Sequence, residues 1–165
     1  MTDPKTPCAG LALSSPRTVV APKCGIAQRT RGVVDAELDR LFADGGILRT
    51  HVMRPTWHFV APADIRWMLE LTAARVHAAN AYYYRKLELD QAVFRRSNAA
   101  LANALRGGKQ LTRTELARVL EDVEIPASGM RLAYLIMRAE LDAVLCSGAR
   151  RGKQGAGGGR SIGTR

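Results

Sequence analysis

The chain has 165 residues, 47% hydrophobic and 24% charged but only 5% aromatic, so it can build one ordinary domain or two small units, with aliphatic side chains filling a core that favours helices. Cys8, Cys24 and Cys146 are widely spaced, with no Cys-x-x-Cys pair and no His at zinc-finger distance, and no run of about 18 apolar residues occurs, which argues against a disulfide framework, a metal site, export or membrane insertion and for a cytoplasmic chain. The formal net charge of +10 invites a nucleic-acid partner, yet residues 1–34 carry a net +4 and residues 149–165 a net +5, so the excess lies at the two ends and does not itself reveal a basic face.

Residues 1–25, rich in Pro, Ser, Ala and Gly, show neither a helical nor a strand period and read as irregular. Asp35 caps a short helix with Leu38, Leu41 and Phe42 on one face, ended by Gly45 and Gly46. Residues 47–53 and 56–61 are β-prone runs separated by Arg54 and Pro55, a hairpin or a longer wing-like loop. If the loop is only those two residues, His51 falls opposite His58. Pro62 suits the first turn of the next helix, which carries Ile65, Met68, Leu69, Thr72 and Val76 inward and runs to about Leu87.

Asp90 starts a further helix over 91–106 that Gly107 and Gly108 close. Thr112 and Glu115 form a capping box for a helix over 112–122, with Leu111 and Leu116 as its hydrophobic staple. Ser128 precedes an apolar helix over 129–142, and 143–146 is a short strand. Residues 149–165 are Gly- and Arg-rich with no period, the composition of a flexible tail. Helix, capped helix, helix, strand and basic loop is the order of a winged helix whose final strand is missing, and the first half supplies another unit's wing at 47–61. The expected architecture is therefore mainly α with short β-hairpins, a pair of tandem winged-helix units, both incomplete.

The blocks ILRTHVMRPTWHFVAPADIRWMLELTAARV (47–76), YYYRKLELD (82–90), LTRTELARVLE (111–121) and RLAYLIMRAELDAVLCSG (131–148) carry a family likeness. Together they resemble the winged-helix DNA-binding family that includes the AlkZ and YcaQ alkyl-base DNA glycosylases, over roughly residues 24–154. Its most specific part is His51, Arg54, Thr56, Trp57 and His58. The resemblance implies a double-stranded DNA partner, a DNA-repair setting, no cofactor, and scission of the N-glycosidic bond of alkylated or cross-linked bases. Family members bear a Gln followed two positions later by Asp or Gln. None occurs in residues 14–26, and Gln28 is followed by Arg29 and Thr30. No catalytic residue carries over, so the expectation is a DNA-binding relative without that motif. An active glycosylase, a non-enzymatic regulator and an inert fragment are the alternatives.

Seven positions besides Arg54 are read beside it as DNA-contacting. Thr56 and His58 flank the wing loop, Arg131 and Arg138 share the polar side of the presumed recognition helix, and Arg150, Arg151 and Lys153 extend the second wing. His51 and His58 lack a third metal ligand, so hydrogen-bonded histidines are expected rather than a metal pair. Trp57 and Phe59 alternate onto a core-facing side, and of Tyr82, Tyr83 and Tyr84 at least one must be buried. The sequence leaves oligomeric state and the lesion or base read open.

Overall fold

The computed structural model describes residues 13–14, 35–151 and 156–161. Helices α1 (Asp35–Ala43), α2 (Ile65–Lys86), α3 (Gln91–Ala104), α4 (Arg113–Glu121) and α5 (Gly129–Leu141) dominate it. They pack with strands β1 (Leu13–Ser14), β2 (Leu48–His51), β3 (Trp57–Val60), β4 (Gln110–Leu111), β5 (Leu145–Arg151) and β6 (Ala156–Ser161). Those strands form one antiparallel sheet in the order β1-β3-β2-β5-β6-β4. The chain is mainly helical with a small sheet, as its aliphatic composition and helical periodicity lead one to expect.

Local chemistry accounts for most boundaries. Asp90 caps α3 by accepting from the Val93 N–H at 2.8 Å. The capping box of α4 is complete: the Glu115 N–H donates to Thr112 Oγ1 at 3.3 Å and the Thr112 N–H to Glu115 Oε2 at 2.5 Å. Gly107 and Gly108 take positive φ of 74° and 73°, a turn that L-residues resist, and α3 stops there. Ser128 stands at the start of α5 but makes no side-chain cap bond. Helix α2 starts at Ile65, so Pro62 lies in the turn ahead of it rather than at its first position.

Two expectations change at the C-terminal side. The missing wing strand exists: Ala156–Ser161 pairs with β5 over Leu145↔Ser161 to Arg151↔Ala156, and with β4 at Gln110↔Arg160 and Leu111↔Gly159. Part of the supposed flexible tail is thus sheet, because β5 and β4 offer backbone partners that a Gly-rich composition does not reveal. The same strand β4 was hidden in the sequence by the capping signal at 111–115. Leu13–Ser14, within the stretch that the sequence reads as irregular, adds to the other edge of the sheet through Leu13↔Phe59.

The core comes in three pieces. Leu101, Leu105, Leu116, Leu120 and Leu135 fill the junction of α3, α4 and α5. Met68, Leu69 and Val76 of α2 pack on Val52, Val60, Met137, Leu141 and Cys146 beneath the middle of the sheet. Phe59 and Ile47 meet Leu41 and Phe42 of α1, with Phe42 and Phe59 rings 4.8 Å apart. Tyr84 is 8% exposed whereas Tyr82 is 58% exposed, as three successive helical directions require.

A polar network ties α2, α3 and the end of α5. Asp142 accepts from Arg138 Nε at 2.6 Å, Asn98 Nδ2 at 2.8 Å and His77 Nε2 at 3.3 Å, while His77 Nδ1 faces the Tyr84 hydroxyl at 3.0 Å. Burial pushes the Asp142 pKa up, but the bonds from His77, Arg138 and Asn98 outweigh it and hold the carboxyl below its ordinary 3.8. A depressed folded-state pKa stabilises the fold above the unfolded value, and that advantage is lost as pH falls through the folded one. Asp142→Asn will therefore destabilise the chain most at about pH 5 and above, with the gap from wild type closing towards about pH 3 in urea unfolding. A gap that stays constant across that range would show the carboxylate charge to be irrelevant.

Candidate functional site

Strands β2 and β3 pair as His51↔Trp57, Thr50↔His58 and Arg49↔Phe59. The connection is thus residues 52–56, and the two histidines are not opposite each other as a two-residue loop would make them. Occupying adjacent register positions, they lie on opposite faces of the hairpin. Pro55 explains the longer loop, being unsuited to the second position of a tight turn. Within the loop Met53 adopts φ of 62°, a left-handed conformation that a non-glycine residue holds only when its surroundings enforce it. The Met53 N–H donates to Thr72 Oγ1 of α2 at 3.0 Å, and that hydroxyl donates on to the Met68 carbonyl at 2.6 Å. Arg54 and Thr56 are exposed on this anchored turn.

His58 is elsewhere in chemical terms. It is 1% exposed, and neither ring nitrogen has a hydrogen-bond partner. Burial holds its pKa below 6.5; the Thr56 backbone opposes this, without making a bond of good geometry, and the Arg54 and His51 charges add to it. A sealed, neutral imidazole cannot touch DNA, so His58 leaves the set of contact residues.

Arg131 and Arg138 also have other tasks. Arg131 Nε donates to the Pro126 carbonyl at 2.9 Å and Nη1 donates to the Leu87 carbonyl just past the end of α2. Arg138 bonds Asp142 and lies with its guanidinium carbon 4.7 Å from the Phe94 ring centre. The helix that carries them buries Leu132, Leu135, Met137, Ala139, Glu140 and Leu141. It is a core element, and both of its arginines are engaged by partners within the protein. Arg150 and Arg151 belong to the backbone of β5, with side chains outside the described residues, and Lys153 lies outside them altogether.

Sequence reasoning missed the most concentrated chemistry. Glu140, a buried carboxylate on α5 at 0% exposure, meets His51 Nδ1 through Oε2 and accepts from Ser147 Oγ through Oε1 at 3.1 Å. Ser147 is on β5, and Arg49↔Ser147 is the register pair by which β5 joins β2. One carboxylate therefore pins the two hairpins at the seam between them. The Trp57 ring stands 5.2 Å from that of His51, and the Arg49 guanidinium lies 4.4 Å from the Trp57 centroid on its other neighbour position. Only the odd charge inside the apolar 129–141 stripe hinted at this. Since β2 and β5 run antiparallel, the Arg54 turn and the Arg151 end of β5 lie at opposite ends of the sheet.

Among the described residues no three His, Cys, Asp or Glu side chains come together as metal ligands, and no helix is long and apolar enough to cross a membrane. The sequence model of the family described as "DNA glycosylase AlkZ-like" matches residues 15–163. No curated protein matches the chain. Among solved structures, the Streptomyces sahachiroi DNA glycosylase AlkZ superposes with a TM-score of 0.72 at 20% identity, over 91% of this chain and 40% of that one. At that identity the likeness is one of fold, and the chain spans two fifths of the length of the solved relative.

Proposed function

Because the chain belongs to the AlkZ-like DNA glycosylase family, we propose that it binds duplex DNA as part of the recognition and excision of damaged bases, with the turn at 52–56 set against the phosphate backbone. The observation that carries this is Arg54: an exposed guanidinium on a turn whose strained Met53 is fastened to α2. Pre-organisation of that kind lowers the cost of ordering a contact on binding.

Winged-helix units supply the frame for this reading. Helix α3, strand β4, helices α4 and α5, and strands β5 and β6 follow the order of such a unit, with β4 closing on β6. The burial of α5 argues that contact runs through turns and phosphates rather than through a helix reading base edges. Repair enzymes must act wherever damage falls, and phosphate-led binding suits that need. Arg54, Thr56, Arg150, Arg151 and Lys153 are the proposed contacts. The activity of a whole glycosylase is included in this proposal, with the Gln-x-Asp or Gln-x-Gln pair absent from residues 14–26.

Gel-shift titration of the chain on a duplex at two salt concentrations tests it. Binding will weaken as salt rises, and Arg54→Ala will weaken it for all sequences alike while reducing the salt slope by about one. No retention of duplex even at low salt would remove the reading.

A further inference from the structure

Helix α2 is apolar on two sides. Ile65, Met68, Leu69, Val76 and Tyr84 turn inward. On the outside Trp67, Leu71 and Tyr82 are 47%, 74% and 58% exposed, and Ala74 and Ala78 are exposed between them. At 3.6 residues per turn these five fall on one strip along the helix, with Asp64 at one end and Arg85 at the other. We propose that this strip pairs two copies of the chain, their α2 helices antiparallel about a two-fold axis that passes between Ala74 and Arg75.

The strip is self-complementary about that point, as a two-fold contact requires. Antiparallel pairing sets Asp64 against Arg85 of the second copy, Trp67 against its Tyr82 and Leu71 against its Ala78. Leucine over alanine is the large-against-small fit by which helices approach closely. Trp67 is held ready for burial: Asp64, at the N-cap position, makes no cap bond and instead accepts from Trp67 Nε1 at 2.9 Å, so the indole N–H keeps a partner when the strip is covered. A parallel pair would set Arg85 against Arg85 and Asp64 against Asp64, which like charges oppose. Arg75, beside the axis, approaches its own counterpart, and as a long exposed side chain it can turn its charge into water. Covering the strip removes on the order of 500 Å² per copy, at the low end of specific interfaces, so pairing is reversible with a dissociation constant of about 1–100 μM.

Sedimentation equilibrium of the chain from about 1 to 200 μM tests the pairing. The mass will rise from one chain towards two. Leu71→Glu, which enters every pair twice, will raise the dissociation constant at least about 100-fold. Its helical circular dichroism will stay that of the unaltered chain, since Leu71 is 74% exposed. Asp64→Arg alone and Arg85→Asp alone will each weaken pairing roughly tenfold, and a chain carrying both changes will recover it. These charge variants decide the matter should Leu71→Glu fail to fold. A chain of single mass throughout, a pair that withstands Leu71→Glu, or charge variants that leave pairing unaltered overturns the proposal. A chain that stays single while Tyr82→Ala weakens its retention of duplex assigns the strip to DNA and overturns the pairing as well.

Discussion

Replacing His51 with Leu will lower the stability of the folded chain by about 3–5 kcal/mol, the usual consequence of removing the partner of a buried carboxylate. Glu140 is the reason. Its carboxylate is 0% exposed, and without the imidazole it keeps the hydrogen bond from the Ser147 hydroxyl. Losing the imidazole partner from a buried carboxylate is unfavourable even with the Arg113 guanidinium within electrostatic reach, so the seam must open to water or the carboxyl give up its charge. The second change Glu140→Met in the same chain will recover most of the loss, since an apolar pair of similar volume no longer strands a charge. Urea unfolding of the single and double variants measures this directly. A single-variant loss under about 1 kcal/mol would mean that water already reaches the carboxylate. His51→Gln, by contrast, keeps a side-chain donor and is the milder change.

Leu135→Ala will cost about 2–5 kcal/mol, because the methyl groups removed leave a cavity that close-packed neighbours fill only in part. Leu135 is 0% exposed at the centre of α5, and Leu101, Leu105 and Leu120 are also 0% exposed in the same cluster. Leu71→Ala makes the contrast. That side chain is 74% exposed on α2, and its loss will change stability by no more than about 0.5 kcal/mol. Thermal unfolding of the two variants side by side checks both figures. Equal shifts would show that α5 is not the packed centre of its unit.

Much of this fold can be read from the letters alone, since helices obey short-range rules. The Asp90 cap, the Thr112–Glu115 box and the glycines at 107 and 108 act over three or four residues, and each boundary they predict lies within two residues of the observed one. Strands β4 and β6 escaped because pairing is non-local. Gln110↔Arg160 joins positions that no period links, in a stretch where glycine suppresses strand propensity. The hairpin was legible and its register was not, since the loop length alone decides which residue faces His51.

Site residues divide in the same way. Exposure at Arg54 follows from its place in a turn. Whether Arg131 faces solvent depends on where the Leu87 and Pro126 carbonyls come to lie, and only the folded chain reveals that. Glu140 looked like one more charge on a helix. Its position opposite His51, 89 residues earlier in the chain, is a product of the tertiary fold.

The antiparallel seam between β2 and β5 sets a length scale. From Arg49↔Ser147, β5 runs one way to Arg151 and β2 the other way to the turn at 52–56. At about 3.3 Å per residue the two basic ends stand roughly 25 Å apart, more than twice the width of a major groove. The sheet is thus a spreader bar rather than a pincer. On a straight duplex the same span corresponds to about seven base pairs.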